Sequence, residues 1–587
     1  MENNGDLDLN CHATGDVRLD KAIYQWITWD KNPQTRAQIE ALLLDGQVEE
    51  LRRRLCSRMA FGTAGLRAAM GAGFALINDL TIIQSTQGMY KYLARSFPDF
   101  GSRGIVVGYD TRAQEASGCN SERYYTIPPP FSSADHTTTF PKALLLGAAA
   151  GVMVTASHNP KEDNGYKVYW HNGAQISSPN DKEILKCIEE SSEPWSESWN
   201  ESLADNSPLR SDPLREISKK YMEDLSSVCF HRELNTKSPL KFVHSSFHGV
   251  GHDYVQQAFR AFGFPPPIPV PEQKDPDPNF STVSCPNPEE GESVLELSLR
   301  LAERENATIV MATDPDADRL AVAEQSDRCR WKVFTGNELA ALLGWWMLFN
   351  WKETHPDPAD RERMYMLATT VSSKILKAFA RIEGFHFEET LPGFKWIGKK
   401  IHDSYICFVV YDKDGVSAAV VVAEMASYLY NKNLTLHQQL ENIFETYGYH
   451  ISTTSYVICH DPPTVKRIFT RLRNFEGENT YPRSSGGHSI VDVRDVTTGY
   501  DSSQPDKLCV LPMTKSSQMI TFTLQNGIVA TLRTSGTEPK IKFYTEFCAP
   551  PGKSDISSLE EELKKVTDTL VEEFLEPDKN NLIRRSI

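Results

Sequence analysis

The 587-residue chain is 40% hydrophobic and 24% charged, the balance of an ordinary soluble globular protein, and its length exceeds what one core supports, so three or four domains are expected. Its 62 Lys and Arg against 78 Asp and Glu give a formal charge of −16. The surface as a whole therefore repels nucleic acid and anionic membrane, and a bound anion needs a local basic pocket.

The polar, acidic start, Met1 to Asp6, resembles neither a secretory signal nor a transit peptide. Leu19, Ile23, Trp26 and Ile27 recur at helical spacing and predict a first amphipathic helix. Gly104 to Asp110 and Gly151 to Val154 read as short buried strands, each ending in a polar loop. Leu240 to His244 and Ala307 to Met311 repeat that pattern, with Val255, Ala258, Phe259 and Phe262 marking a helix between them. Such alternation predicts α/β layers. Pro265-Pro266-Pro267 with Pro269 and Pro271 reads as a surface excursion inside such a unit, and His355 to Pro358 as a boundary. The apolar run Leu339 to Phe349 is shorter than the ~18 residues of a membrane span. Met519 to Thr523 and Ile528 to Leu532 flank Gln525-Asn526-Gly527 and predict a β-hairpin. The last helix is predicted with Ser558-x-x-Glu561 as capping box and Leu559, Leu563, Val566, Leu570 and Phe574 buried, so a separate α+β domain closes the chain. Eleven cysteines are scattered singly, without C-x-x-C pairs or zinc-finger spacing, which points to a reducing compartment, the cytoplasm.

Three loops carry residues suited to chemistry. "TASHNP", residues 155–160, places Ser157 beside His158 after a strand; alone it fits a turn cap with a core histidine as well as an active serine. No G-x-S-x-G elbow is present to suggest a hydrolase triad. Asp314-Pro315-Asp316-Ala317-Asp318-Arg319 alternates three carboxylates that repel one another unless a cation sits among them, and all-oxygen donors in so short a loop suit Mg2+. An EF-hand fails at Arg319, its sixth position, and at Gln325, its twelfth; an acidic solvated turn is the bland alternative. Arg533-Thr534-Ser535-Gly536-Thr537-Glu538-Pro539-Lys540 combines hydroxyls, a glycine and cations that suit a phosphate group, and equally suits a plain turn between strands. If Ser157 carries a phosphate, its charge asks for a divalent ion, which the Asp314 loop can supply.

Together with "FGTAGLR" at 61–67, the motifs "TASHNP", "DPDADR" and "RTSGTEPK" resemble the α-D-phosphohexomutase superfamily, in family order from 61 to 540. Longer runs such as "TASHNPKEDNGYKVYW" and "FHGVGHDYV" resemble its phosphoglucomutase-2 branch, and "HFEETLPGFKWIG" its phosphoglucomutase-2-like members. The resemblance implies an α/β fold of four domains around a central cleft, three mixed α/β and a C-terminal α+β one, here at residues 1–234, 235–345, 346–450 and 451–587. It implies Ser157 as phosphoryl carrier and metal ligand, with Asp314, Asp316 and Asp318 completing an Mg2+ site. Arg319 steadies phosphoserine or substrate, Arg67 and Lys167 are basic partners near the reacting centre, and Lys413 of "DKDG" contacts substrate. Arg533, Ser535, Gly536 and Thr537 would hold the phosphate that is not transferred, a second clamp that aligns the reacting end. The implied activity is phosphotransfer on hexose phosphates: synthesis of glucose 1,6-bisphosphate from glucose 1-phosphate with an acyl phosphate such as 1,3-bisphosphoglycerate. Phosphoglucomutase or phosphopentomutase action is the alternative, and a catalytically impaired sugar-phosphate-binding protein the third reading. The expected partners are these sugar phosphates, with no nucleic acid or membrane, and the expected state is a monomer.

Two stretches depart from the family pattern. Between Gly398 and Asp412 the sugar-binding loop of "EES-G" type is missing; Glu388-Glu389-Thr390 is no substitute, though a strand can survive at Tyr405 to Val410. From Glu122 to Gly147, the runs Pro128-Pro129-Pro130 and Thr137-Thr138-Thr139 stand where the family has a helix, a strand and a loop, so a core element is expected to be lost. A variant transcript or an imperfect gene model is the reading that both departures favour.

Overall fold

Short runs of β-branched and small apolar residues set the strands. A computed structural model describes residues 14–59, 61–62, 65–112, 131–134, 147–200, 202–205, 207–326, 330–404, 413–514, 517–535, 539–552 and 555–585. The chain divides into two compact units, Met1–Phe334 with Gly398–Tyr428, and Thr335–Ile397 with Leu429–Ile587.

The first unit holds two five-stranded sheets. One is built from β1 (Leu66–Ala69), β2 (Ile105–Tyr109), β3 (Phe131–Ala134), β4 (Ala150–Val154) and β5 (Asp163–Trp170), in the order β1-β5-β4-β2-β3. Strands β3, β2 and β4 run parallel, while β5 is antiparallel to both β4 and β1. Every residue of β4 is buried, as a strand covered on both faces requires. Val107, Val152 and Val168 pack on Met89, Leu93, Ile184 and Ile188 of helices Asp79–Ser96 and Asn180–Glu189. Val106, Met153 and Tyr169, which alternate with them, pack on Ile217 of helix Leu214–Ser226. The predicted first helix is Val17–Trp29, whose Trp26 meets Phe74 edge-on at 5.2 Å.

The second sheet repeats the plan. Strands β6 (Phe242–Ser245), β7 (Ile268–Pro269), β8 (Ile309–Thr313), β9 (Leu320–Gln325) and β10 (Trp331–Val333) take the order β10-β9-β8-β6-β7. Again three strands, β7, β6 and β8, pair in parallel, and β9 is antiparallel to both β8 and β10. Leu295, Leu299 and Ala302 of helix Glu292–Glu305 pack on Val243, Val310 and Ala312. The proline-rich stretch at 265–271 supplies β7 at the sheet edge, where a missing N–H interrupts no ladder.

The loss expected at 122–147 does not extend to the strand. β3 forms directly after Pro128-Pro129-Pro130 and pairs with β2 from Ile105↔Phe131 to Gly108↔Ala134, because the prolines precede the strand rather than interrupt it.

The second unit pairs β11 (Tyr365–Thr369) with β12 (His386–Thr390) in parallel. It also carries an antiparallel sheet in which Met519–Leu524 and Ile528–Thr534 form the predicted hairpin, Gly527 taking φ +97°. Helix Ile556–Leu570 buries Leu559, Leu563, Val566 and Leu570 as predicted, and Phe574 follows in a wider turn. Its cap differs: the helix begins before Ser558, and Asp555 accepts from Ser558 N at 3.1 Å. A carboxylate three residues upstream takes the role assigned to the serine. Among the described residues no helix is long and apolar enough to cross a membrane.

Candidate active site

The sheet register builds the serine loop. Pairing Tyr109 with Val154 puts the next residues, Asp110 and Thr155, side by side, and Thr155 Oγ1 donates to Asp110 Oδ2 at 2.7 Å. The amide of Ser157 donates back to Thr155 Oγ1 at 2.7 Å. Ser157 takes φ +55°, a left-handed conformation that a serine keeps only where its surroundings impose it. Its buried Oγ donates to Asp314 Oδ2 at 2.8 Å and lies 3.2 Å from His158 Nδ1.

The carboxylate loop leaves β8 and turns back into β9 within six residues. Ala317, at φ +56°, closes the turn by donating to Asp314 O at 2.8 Å. Two glycines let neighbouring segments press on it. A Cβ at Gly249 would lie 2.3 Å from Pro315 Cα, and one at Gly415, which opens helix Gly415–Tyr430, 2.3 Å from Arg319 O. Asp314, Asp316 and Asp318 are almost wholly buried, and one ligand oxygen from each lies within 4.8 Å of the others.

Two lysines answer this charge. Lys167, on β5 in register with Met153, donates to Asp316 Oδ2 at 2.7 Å and Asp318 Oδ2 at 3.2 Å. Lys413 donates to Asp318 Oδ1 at 2.6 Å. Arg319 reaches Glu289 at 2.7 Å and Asn287 Oδ1 at 3.3 Å, its Nε 3.9–4.0 Å from Asp318 and Asp314.

Electrostatics sort the carboxylates. Burial raises Asp314, and the like charges of Asp316 and Asp318 add to it. Burial also opposes ionisation of Asp318, but Lys413, Lys167 and Arg319 outweigh it and hold Asp318 below the usual range. Three buried, all-oxygen donors, one of them left costly to ionise, are the donor set of a hard divalent cation. His158 is kept neutral by burial and by the cations Arg319, Arg67 and Lys413. Arg67, on β1, is lowered by burial and shares the field of Asp316 and Asp318.

The structure thus brings together Ser157, Asp314, Asp316, Asp318, Lys167, Arg319, Lys413 and Arg67. Arg533 and Ser535 belong to the second unit: Arg533 pairs with Met519 and Lys542 across the antiparallel sheet, and Ser535 N donates to Lys540 O at 2.9 Å. Gly536 and Thr537 lie outside the described residues, as does the 405–410 stretch proposed as a surviving strand. Glu389 is engaged elsewhere. Against its burial, Lys374 at 3.0 Å and Arg494 at 2.8 Å hold its carboxyl down to about 2. Sequence reading passed over Asp110, Thr155 and Arg112, although a polar Asp-x-Arg directly after a buried strand was the available signal.

The family described as phosphoglucomutase/phosphomannomutase, alpha/beta/alpha domain I, matches residues 58–120 and 136–195, and its alpha/beta/alpha domain II matches residues 219–327. The chain is 64% identical to human glucose 1,6-bisphosphate synthase, covering 99% of each, in an alignment of 616 positions. Those positions outnumber the 587 residues here, so that relative carries segments without a counterpart in this chain. Mouse phosphopentomutase is 54% identical, over 97% of this chain and 96% of that one. The fold matches Paramecium parafusin, a phosphoglucomutase, with TM-score 0.61 at 16% identity over 90% of this chain and 98% of that one. With such identity from end to end and the acidic triad beside its serine, the chain belongs to the phosphoglucomutase/phosphomannomutase family of enzymes.

Proposed function

We propose that this enzyme transfers phosphoryl groups through Ser157, making glucose 1,6-bisphosphate from glucose 1-phosphate with 1,3-bisphosphoglycerate as donor. The contact of Ser157 Oγ with Asp314 Oδ2 at 2.8 Å, at the mouth of the buried triad, carries the reading, and the 64% identity to the human synthase supports the substrate. Ser157, Asp314, Asp316 and Asp318 would hold Mg2+, which spreads the charge of the transferring phosphoryl group. Lys167, Lys413, Arg319 and Arg67 add fixed positive charge around the same oxygens, the main requirement of this chemistry.

In the charging step the Oγ–P bond forms, the acyl phosphate's P–O bond breaks, 3-phosphoglycerate departs as its carboxylate, and the serine proton is released to solvent. In the discharge step the sugar hydroxyl takes the phosphoryl group, the P–Oγ bond breaks, and Ser157 leaves reprotonated by the proton the sugar gives up. Arg533, Ser535, Gly536 and Thr537 are proposed to grip the phosphate at the other end of the sugar, in a four-domain division at 234, 345 and 450. The enzyme is read as a cytoplasmic monomer.

The phosphopentomutase relative at 54% identity favours sugar-phosphate mutase action as the second reading. Supplying glucose 1-phosphate and 1,3-bisphosphoglycerate to the full chain separates them. Bisphosphate accumulation with phosphate on Ser157 is expected; monophosphate isomers forming faster than bisphosphate would replace synthase by mutase, and no phosphate on Ser157 would overturn both.

A further inference from the structure

We infer that Arg112 is the residue that positions the phosphoserine loop, an inference that rests on Ser157 being the phosphoryl carrier. Its side chain, 1% exposed, is anchored by its own backbone neighbour: the Arg112 amide donates to Asp110 Oδ1 and its Nε to Asp110 Oδ2, both at 3.0 Å. The rest of the fork faces the loop. Nη1 donates to Pro160 O at 2.7 Å and Asp163 O at 3.2 Å, and Nη2 to Asn159 O at 2.8 Å and to Ser157 O. The ring of Phe280, in the loop that follows β7, lies 5.0 Å from the guanidinium carbon.

Four carbonyls within seven residues accept from this one side chain, that of Pro160 also accepting from the Asp163 amide at 3.1 Å, and only a planar guanidinium offers donors in several fixed directions at once. One of the four belongs to Ser157 itself, which sits in a conformation that must be imposed. The same Asp110 that anchors Arg112 accepts from Thr155, which in turn accepts from the Ser157 amide. Arg112 and Asp110 therefore grip the reactive serine from its carbonyl and from its amide. Where Oγ points follows from that grip, and in-line transfer loses about 100-fold for a displacement of ~1 Å.

The test uses the full chain with Mg2+, glucose 1,6-bisphosphate as phosphoryl donor to Ser157, and glucose 1-phosphate as acceptor. R112K keeps charge and length but not the fork, and R112A leaves space for added guanidinium ion. The expected results are a kcat roughly 30-fold lower for R112K with KM for glucose 1-phosphate within about threefold, and a guanidinium-dependent recovery of about tenfold for R112A. A folded R112K with wild-type kcat overturns the inference. So does a loss that merely follows the folded fraction, or the failure of both variants to fold, since either makes Arg112 a purely structural residue. S157A keeps the two readings apart. If S157A abolishes phosphate uptake while R112K behaves as wild type, the inference about Arg112 alone fails; if S157A still takes up phosphate, on another residue, the serine reading fails first.

Discussion

The two five-stranded sheets of the first unit share one plan and diverge in chemistry. In each, the loop from the central strand to its antiparallel neighbour carries the reactive groups: residues 155–162 between β4 and β5, residues 314–319 between β8 and β9. Each loop holds one non-glycine residue in the left-handed region, Ser157 at φ +55° and Ala317 at φ +56°. In the first sheet that residue is the nucleophile, so the unfavourable conformation aims Oγ. In the second it is an apolar spacer whose turn lets three carboxylates converge. The same backbone device thus serves a moving group in one loop and a fixed charge array in the other.

The largest effect expected from this contrast is at the nucleophile. S157A should lower turnover at least ~10⁴-fold with no phosphoprotein formed, while Mg2+ still raises the melting temperature through the triad. Phosphoprotein measured by intact mass, with melting curves at several Mg2+ concentrations, checks both halves. Loss of the Mg2+ response in S157A would mean that the loops do not divide their roles.

Acid should separate the sheets next. His244 on β6 is buried, and burial pushes its pKa down to about 3, whereas the described strands of the first sheet carry no histidine. The folded state resists a proton that the unfolded chain accepts near pH ~6.5. Stability is therefore full above that pH and falls as pH drops from ~6.5 towards 3, by on the order of 3–5 kcal/mol. Denaturant titrations between pH 7 and 4 should show this slope, and H244F should flatten it.

Close approach to the carboxylate loop gives the third effect. G415A must move a helix start away from Arg319 O, at a cost of about 2–3 kcal/mol and with weakened Mg2+ binding. A317G, which only relaxes a left-handed residue, should stay within ~1 kcal/mol of wild type. Equal losses in the two variants would remove the distinction between crowding and conformation.

The smallest effect is a gain. D314N relieves the carboxylate that burial and like charge raise, so the metal-free protein should become more stable by about 1 kcal/mol and lose its Mg2+ response. Metal-free destabilisation of D314N would show that the ion pairs already neutralise the triad in full.

Much of the architecture was legible because strands and helices announce themselves locally. Ile105–Tyr109, Ala150–Val154, Phe242–Ser245 and Ile309–Thr313 are apolar runs whose period is local, and the Asn526-Gly527 hairpin needs nothing beyond its own turn. The last helix was legible in its buried face and not in its cap, since Asp555 and Ser558 both suit that role and only the path of the chain chooses. The strand at Phe131–Ala134 was not legible because the prolines that precede it read as breaking the segment, whereas they end where the strand begins and it pairs at the sheet edge.

The sequence alone determined which residue types are available and in what order: a serine after one strand, three alternating carboxylates after another, a hydroxyl- and cation-bearing loop near the end. Tertiary structure decided what they touch. Ser157 and Asp314 are 157 residues apart, Lys167 and Asp316 149 apart, and no local pattern encodes such pairs. The grip of Arg112 on four carbonyls exists only once β2 and β4 are in register, because hydrogen bonds at that range are set by the packing of the sheets and not by spacing along the chain.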